Sequence, residues 1–335
     1  MEPLTHALVS VALSRAGLNR VTPRATPLLL TAGLIPDIDA FTTVAGPAAW
    51  LNYHYGPTHS LIGGAALSVV CAGVFWWLGR NHPKRPVRFL WALVASVVGV
   101  AVHILLDVAG SQGVELLWPF STRRFAWDLV DTVDPWILAL LLLGLLMPGL
   151  LRLVTEEIGA KPSARGPQRG AIAALVLVLL YVGARDVTHE RAVAVLRSRL
   201  YRGATPLSVG AFPSPISLLT WNGVIETENS VEQVEFSITG SALFDPNRSV
   251  STFKPEASRA LEAAQQTPSV RLLLEHARFP SATVFRTRDG WRVTIQDMRD
   301  SASLIRRRSV YAEVEVDGNL DVQKESLEFG LPQRR

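Results

Sequence analysis

Four apolar runs constrain this chain more than any other feature: Ser60–Leu78, Phe89–Val108, Pro135–Leu153 and Ala171–Ala184. The first three approach the roughly 20 residues an α-helix needs to cross a hydrocarbon core. In that solvent every backbone N–H and C=O must be paired within the segment, so the runs are expected to be helices. The fourth is short, and Arg169 and Arg185 near its ends can snorkel toward the interface. Two further pieces, Leu4–Ala16 and Thr26–Ile38, are expected to form a helical hairpin against the bundle or tilted partial spans. Composition agrees: 19% of residues are charged, against about a quarter in soluble domains.

Past about residue 185 the pattern changes to ordinary soluble sequence. Asp186–Leu200 carries helical spacing, whereas Ile216–Thr227 and Val231–Thr239 alternate as strands do. Arg288-Asp289-Gly290 between Ala282–Thr287 and Trp291–Asp297 is a hairpin signal. So is Asp317-Gly318-Asn319 between Val310–Val316 and Leu320–Leu327. Pro255–Ala264 and Ser269–His276 read as helices. The expected fold is a mainly α-helical polytopic membrane domain, residues 1–185, followed by a soluble α+β domain, residues 186–335.

Basic residues orient the spans. Arg15, Arg20 and Arg24 lie at the bend of the N-terminal hairpin, Arg80, Lys84, Arg85 and Arg88 in the next loop, and Arg152, Lys161, Arg165 and Arg169 in another. Ala40–His59 contains no Lys or Arg, and Val108–Asp134 contains only Arg123 and Arg124. Short Lys/Arg-rich loops stay cytoplasmic, so the chain is expected to be a multi-pass protein of a bacterial inner membrane with its C-terminal domain outside the cytoplasm. Met1–Thr5 carries no positive charge, so no signal peptide is expected. The net charge of +4 is dispersed over these loops, and no nucleic-acid-binding module accompanies it. The lone Cys71 excludes an internal disulfide framework and a Cys-based zinc site.

The chemistry-bearing residues sort to the opposite, non-cytoplasmic end of this topology: His6, Asp37, Asp39, His54, His59, His103, Asp107 and Asp134. His103 and Asp107 sit one helical turn apart and share a face. Ionisable groups within apolar sequence are costly and by default functional, although a hydrogen bond tying two helices together is the competing reading. Asp37 and Asp39 follow Pro36 closely, which fits either a cation site or a turn. His54 and His59 flank Tyr55-Gly56-Pro57-Thr58, a turn that can fold both imidazoles inward or leave them in a wet loop, and Thr58 is placed to cap the next helix. Asp134-Pro135 is better read as a helix start than as a ligand. His82, His189 and His276 have no assigned role. Ligands drawn from His6, Asp37, Asp39, His54, His59, His103 and Asp107 suit a divalent metal, zinc ahead of manganese or iron. Asp37 and Asp39 are the candidate catalytic carboxylates, one of them serving as general base. Gly110-Ser111-Gln112-Gly113 is not a nucleophile elbow.

Taken in order, Thr5-His6, Pro36-Asp37-Ile38-Asp39, His54 to His59-Ser60, His103 to Asp107, and Gly113, Trp118-Pro119 and Asp134-Pro135 resemble the YdjM-like family of bacterial inner-membrane proteins, read as metal-dependent hydrolases. The resemblance covers roughly residues 1–155. Its distant similarity to zinc-dependent phospholipase C and nuclease P1-type enzymes implies phosphoester hydrolysis at a multi-metal His/Asp site. It also implies that His6, Asp37, Asp39, His59, His103 and Asp107 are ligands or close partners. Tyr55 departs from the pattern, which often has Arg there, and leaves Arg123 or Arg124 to bind an anionic group. The expected partners are membrane lipids and a lipid or phosphoester substrate, with no nucleic acid. The alternative is a non-enzymatic membrane scaffold or regulator with a structural metal. A transporter is disfavoured, because its polar residues should run through the full membrane depth.

Overall fold

The computed structural model describes residues 1–158, 165–239, 245, 249–256, 258–299 and 309–332. Contacts divide the chain into two units, Met1–Asp39 with Tyr55–Asp186, and Ala40–His54 with Val187–Arg335. The helices are α1 (Pro3–Ala16), α2 (Ala25–Ala32), α3 (Pro47–Tyr53), α4 (Leu61–Gly79), α5 (Phe89–Ala109), α6 (Pro135–Glu157), α7 (Gly166–Arg197), α8 (Arg259–Gln265) and α9 (Pro268–His276). Tight 3-10 segments occupy Ile35–Ala45 and Pro57–His59.

The first unit is helical, and its helix ends follow from local chemistry. The Glu2 side chain accepts the Thr5 N–H at the start of α1, and Gly17, at φ 145°, ends that helix. Ser60 Oγ accepts the Gly63 N–H to open α4. Thr58, expected to cap it, uses its hydroxyl elsewhere. Asp134 accepts the Trp136 and Ile137 N–H groups at the start of α6, with Pro135 in the first turn, as the sequence suggests. Among the described residues, five segments are long and apolar enough to cross a membrane: Ala25–Ala45, Leu61–Gly79, Phe89–Ala109, Pro135–Glu157 and Gly166–Arg197. Only 17–39% of each apolar window is buried against protein. Helices apolar on faces that protein does not cover have hydrocarbon as their natural surroundings.

Two segments are longer than their sequence suggests. The piece expected over Thr26–Ile38 continues to Ala45, because after the turn at Gly33 and Leu34 that ends α2 the chain goes on as a 3-10 helix over Ile35–Ala45. The short run Ala171–Ala184 and the separate helix at Asp186–Leu200 are one 32-residue helix, α7. No Pro occurs between Ala171 and Leu200, and a lone Gly183 is tolerated inside a helix, so nothing forces a break. Helices α6 and α7 meet backbone to backbone, since a Cβ on Gly170 would lie 2.4 Å from the Gly144 carbonyl oxygen. Small residues at such crossings let membrane helices approach closely. Lys161 of the third basic loop lies outside the described residues.

Among the described residues, the second unit holds two four-stranded antiparallel sheets, β1-β2-β3-β4 and β5-β6-β7-β8. The strands are Ser208–Pro213, Thr220–Glu226, Ser230–Ser237 and Val250–Phe253, then Pro280–Arg286, Gly290–Asp297, Val310–Asp317 and Val322–Phe329. Both expected hairpins form, β5–β6 and β7–β8. Strands β1 and β4 had no distinct sequence signal, and residues 216–219 of the expected Ile216–Thr227 strand precede β2. The core of the second sheet joins Val293, Ile295, Ala312 and Val314 to Ala260 and Ala264 of α8 and Val270 and Leu273 of α9, with Leu51 of α3 included. The end of α7 packs Ala192 and Leu196 against Trp221 and Ile225 of the first sheet.

Candidate metal centre

Where α2 ends, its last carbonyls have no intrahelical partner. One of them, at Gly33, accepts the Nδ1–H of His103 at 2.8 Å. Helix α5 comes close enough because Gly99, one turn before His103, has no side chain. A Cβ there would lie 2.9 Å from the Ala32 Cβ. This bond fixes the imidazole tautomer and turns His103 Nε2 inward.

Asp107 lies one turn on, with Oδ2 at 3.0 Å from His103 Nε2. The same oxygen is 3.3 Å from His59 Nε2. Its Oδ1 is 3.3 Å from His6 Nε2 and also contacts the amino group of Met1. His6, from the first turns of α1, stacks on His103 with ring centroids 3.8 Å apart. Neither His6 ring nitrogen makes a hydrogen bond of good geometry, although the residue is buried. Asp37 Oδ1 is 3.7 Å from His103 Nε2, and its Oδ2 has no hydrogen-bond partner. Among the described residues, His6, Asp37, His103 and Asp107 form one group whose ligand atoms all lie within 4.8 Å of one another.

The electrostatics of this arrangement are unusual. His59 Nδ1 is held at 2.9 Å by Asp39 Oδ2, so its Nε2 also faces inward. The two Nε2 atoms of His59 and His103 then stand 3.1 Å apart. Two imidazole lone pairs at that distance repel unless a proton or a metal cation lies between them. When a proton serves, it resides on His59: burial disfavours that charge, but hydrogen bonds to Asp107 and Asp39 outweigh burial and push its pKa up to about 9. A metal could take the same place. Donors about 2.0–2.1 Å from a tetrahedral zinc are roughly 3.3 Å from one another. The nitrogen–oxygen and nitrogen–nitrogen spacings of 3.0–3.7 Å bracket that value. The hydrogen-bond-poor nitrogens of His6 and the partnerless Asp37 Oδ2 are what a cation would satisfy.

The sequence-derived candidates therefore divide. His6, Asp37, His103 and Asp107 come together, with His59 in contact with them. Asp39 stands behind His59: its Oδ2 accepts the Tyr55 N–H at 3.0 Å, the Thr58 hydroxyl at 2.8 Å and the His59 imidazole. Residues two apart on a 3-10 turn point about 120° apart, which explains why Asp37 and Asp39 take different places. His54 is not in the group. It belongs to the other unit, where its ring stacks on Trp50 at 3.6 Å. Tyr55, at φ 61°, turns the chain between the two histidines that spacing alone would pair. Asp134 accepts the Tyr181 hydroxyl at 2.7 Å besides capping α6, in line with its helix-start reading. Arg124 pairs with Glu115 at 3.2 Å. The residues missed in sequence are Gly33 and Gly99, which orient His103; no motif marks a carbonyl or an absent side chain.

The chain is similar in sequence to known proteins over its first half. The model of the YdjM inner membrane protein family matches residues 1–192. The uncharacterized protein YfhP of Bacillus subtilis (strain 168) is 25% identical over 145 residues, 41% of this chain and 43% of that protein. The inner membrane protein YbcI of Escherichia coli (strain K12) is 31% identical over 145 residues, covering 41% of this chain and 78% of that protein. The chain thus spans less than half the length of YfhP. No solved structure matches the chain.

Proposed function

The chain belongs to the YdjM inner membrane protein family, and from that premise we propose that it is a membrane-bound, metal-dependent hydrolase of phosphoesters in lipids or lipid-linked molecules. The observation that carries this reading is the convergence of His6, Asp37, His103 and Asp107 on one small volume. A cysteine-free His/Asp donor set suits zinc first. A divalent cation held there lowers the pKa of water and polarises a phosphoryl oxygen.

The chain's own groups supply the rest. Asp107 and His103 are buried and fixed, so they hold position while a substrate enters. Asp39 orients His59 and is occupied in doing so. Asp37, with its side chain 15% exposed and Oδ2 without a partner, is the carboxylate available to take a proton from water. In the reaction a P–O bond forms to the water oxygen and the P–O bond to the alcohol breaks. The water proton passes through Asp37 to the departing alkoxide. The distribution of Lys and Arg over the loops supports a centre, and a C-terminal domain, on the non-cytoplasmic side of the inner membrane.

The test is turnover by the detergent-purified full chain. Soluble phosphodiesters and phospholipids should be hydrolysed, the activity should disappear with a chelator, and Asp37→Asn, reloaded with metal, should lose turnover by far more than it loses metal affinity. Bound metal without chelator-sensitive hydrolysis of either substrate would overturn the hydrolase reading. It would leave the second reading, a scaffold with a structural metal. The near-complete burial of His6, His103 and Asp107 favours that alternative, since structural sites are closed.

A further inference from the structure

Between α4 and α5 lies a groove of about 410 Å³. Gly64, Ala65 and Ala101 open it, and Ile104, Leu105 and Trp127 contribute larger surfaces. Its one hydroxyl, Ser68 Oγ, is spent on the Gly64 carbonyl at 2.8 Å. Apart from the Trp127 indole, the lining therefore offers an occupant only hydrocarbon.

The groove is continuous in depth with the metal centre. Leu61 follows the His59-Ser60 pair, Ile104 follows His103 and Val108 follows Asp107, and all three line the groove. From Leu61 the lining runs to Ser68, about 10 Å further along α4 at 1.5 Å per residue. Trp127 donates its backbone N–H to the Val108 carbonyl at 2.7 Å, so it stands at the centre's end of α5. Exposed Trp118, Phe120 and Trp136 occur in the loop after α5 and the first turn of α6. Such aromatic side chains mark headgroup depth in membrane proteins. The groove thus begins at that depth and descends into the hydrocarbon.

We propose that the α4–α5 groove holds one hydrocarbon chain of a phospholipid substrate, so that the phosphate is presented to the His/Asp centre. This rests on the hydrolase reading above and adds the substrate's chain to it. In two transmembrane segments the available chain-shaped ligand is lipid, and a groove whose upper lining residues are the immediate chain neighbours of His103 and Asp107 brings that lipid's headgroup to the depth of the centre.

The test uses the full chain in lipid nanodiscs containing a phosphatidylglycerol with a photoactivatable diazirine in one acyl chain. Labelled peptides should concentrate on the groove residues of α4 and α5, and the double substitution Ala65→Phe, Ala101→Phe should remove that concentration. Both alanines are exposed and outside the centre, so metal content should stay unchanged and certifies folding. Ala101→Leu alone is the milder variant if the pair fails to fold, and it should reduce the labelling. Labelling spread evenly over all lipid-facing helices, or unaffected by the substitutions, would overturn the proposal. In turnover, the double variant should keep activity on a soluble phosphodiester and lose at least tenfold in kcat/KM on a long-chain phospholipid. Equal activity on both would overturn the groove and leave the hydrolase intact. Absence of any turnover in the unsubstituted chain would overturn the hydrolase, and the labelling pattern would still decide whether the groove binds a chain.

Discussion

Each unit of the molecule buries a carboxylate, and the two are surrounded in opposite ways. In the second unit Glu232 accepts hydroxyl protons from Ser230 at 2.7 Å on one oxygen and from Ser249 and Ser251 at 2.5 and 2.6 Å on the other. Arg202 adds a distant charge at 3.9 Å. Burial pushes the Glu232 carboxyl up, but the three hydroxyls and Arg202 outweigh it and hold the carboxyl below its ordinary value. In the first unit Asp107 meets imidazole nitrogens of His6, His59 and His103, two of which are also directed at each other. Hydroxyls can always rotate a proton toward an acceptor, whereas imidazoles fixed from behind by Gly33 and Asp39 present lone pairs. Glu232 is complete with the protons its neighbours carry. Asp107 and its histidines are met only by cationic partners: the Met1 amino group on Oδ1 and, between the Nε2 atoms of His59 and His103, a proton or a metal.

The comparison breaks first at Asp107. Replacing it with alanine should abolish metal binding by the purified chain, measured as metal content after dialysis. The loss should exceed the roughly 10–100-fold in affinity that removing an outer hydrogen-bond partner costs. Unchanged metal in both Asp107→Ala and His103→Ala would remove the centre. Asp39→Asn should fall within that 10–100-fold range, because it weakens the hold on His59 without removing a donor from the group of four. A titration showing wild-type affinity would demote Asp39 to a turn residue.

Glu232→Ala should act on stability alone. Leaving its buried hydroxyls without their acceptor costs about 1–3 kcal/mol per unsatisfied group. A lower thermal midpoint with full metal content is expected, and lost metal would contradict the separation drawn between the two sites. The pH dependence has a definite sign. A carboxyl whose folded value is depressed contributes stability that is fully present above its unfolded value, near 4.5, and lost as pH falls through the lower folded value. Denaturation monitored through Trp221 should show this acid loss in the natural chain and a smaller one in Glu232→Gln. The smallest effect is expected from His54→Ala. Its ring lies against Trp50, and metal content should not change. A drop in metal content would return His54 to the ligand set.

Much of the architecture was legible in the one-dimensional pattern. Long apolar runs must become helices in hydrocarbon, and Asp-Gly turns between alternating segments must become hairpins, because local backbone chemistry decides both. Helix starts at Asp134-Pro135 and the shared face of His103 and Asp107 follow from the same local rules. Two kinds of feature were not legible. Weak strands such as β1 and β4 owe their form to neighbours in the sheet rather than to their own alternation. The extension of α7 through its polar residues also depended on the absence of a breaker rather than on any positive signal.

The sequence by itself determined which residues stand at one end of the spans and that, with one buried cysteine, any metal must be held by His, Asp or Glu. Which of those residues share a site was decided only in three dimensions. A 3-10 turn separates Asp37 from Asp39, a positive-φ Tyr55 separates His54 from His59, and Gly99 lets α5 approach until His103 reaches the Gly33 carbonyl. Spacing along a chain fixes neighbours within one helical turn. Ligands drawn from four separate segments meet only when packing sets the distances between them.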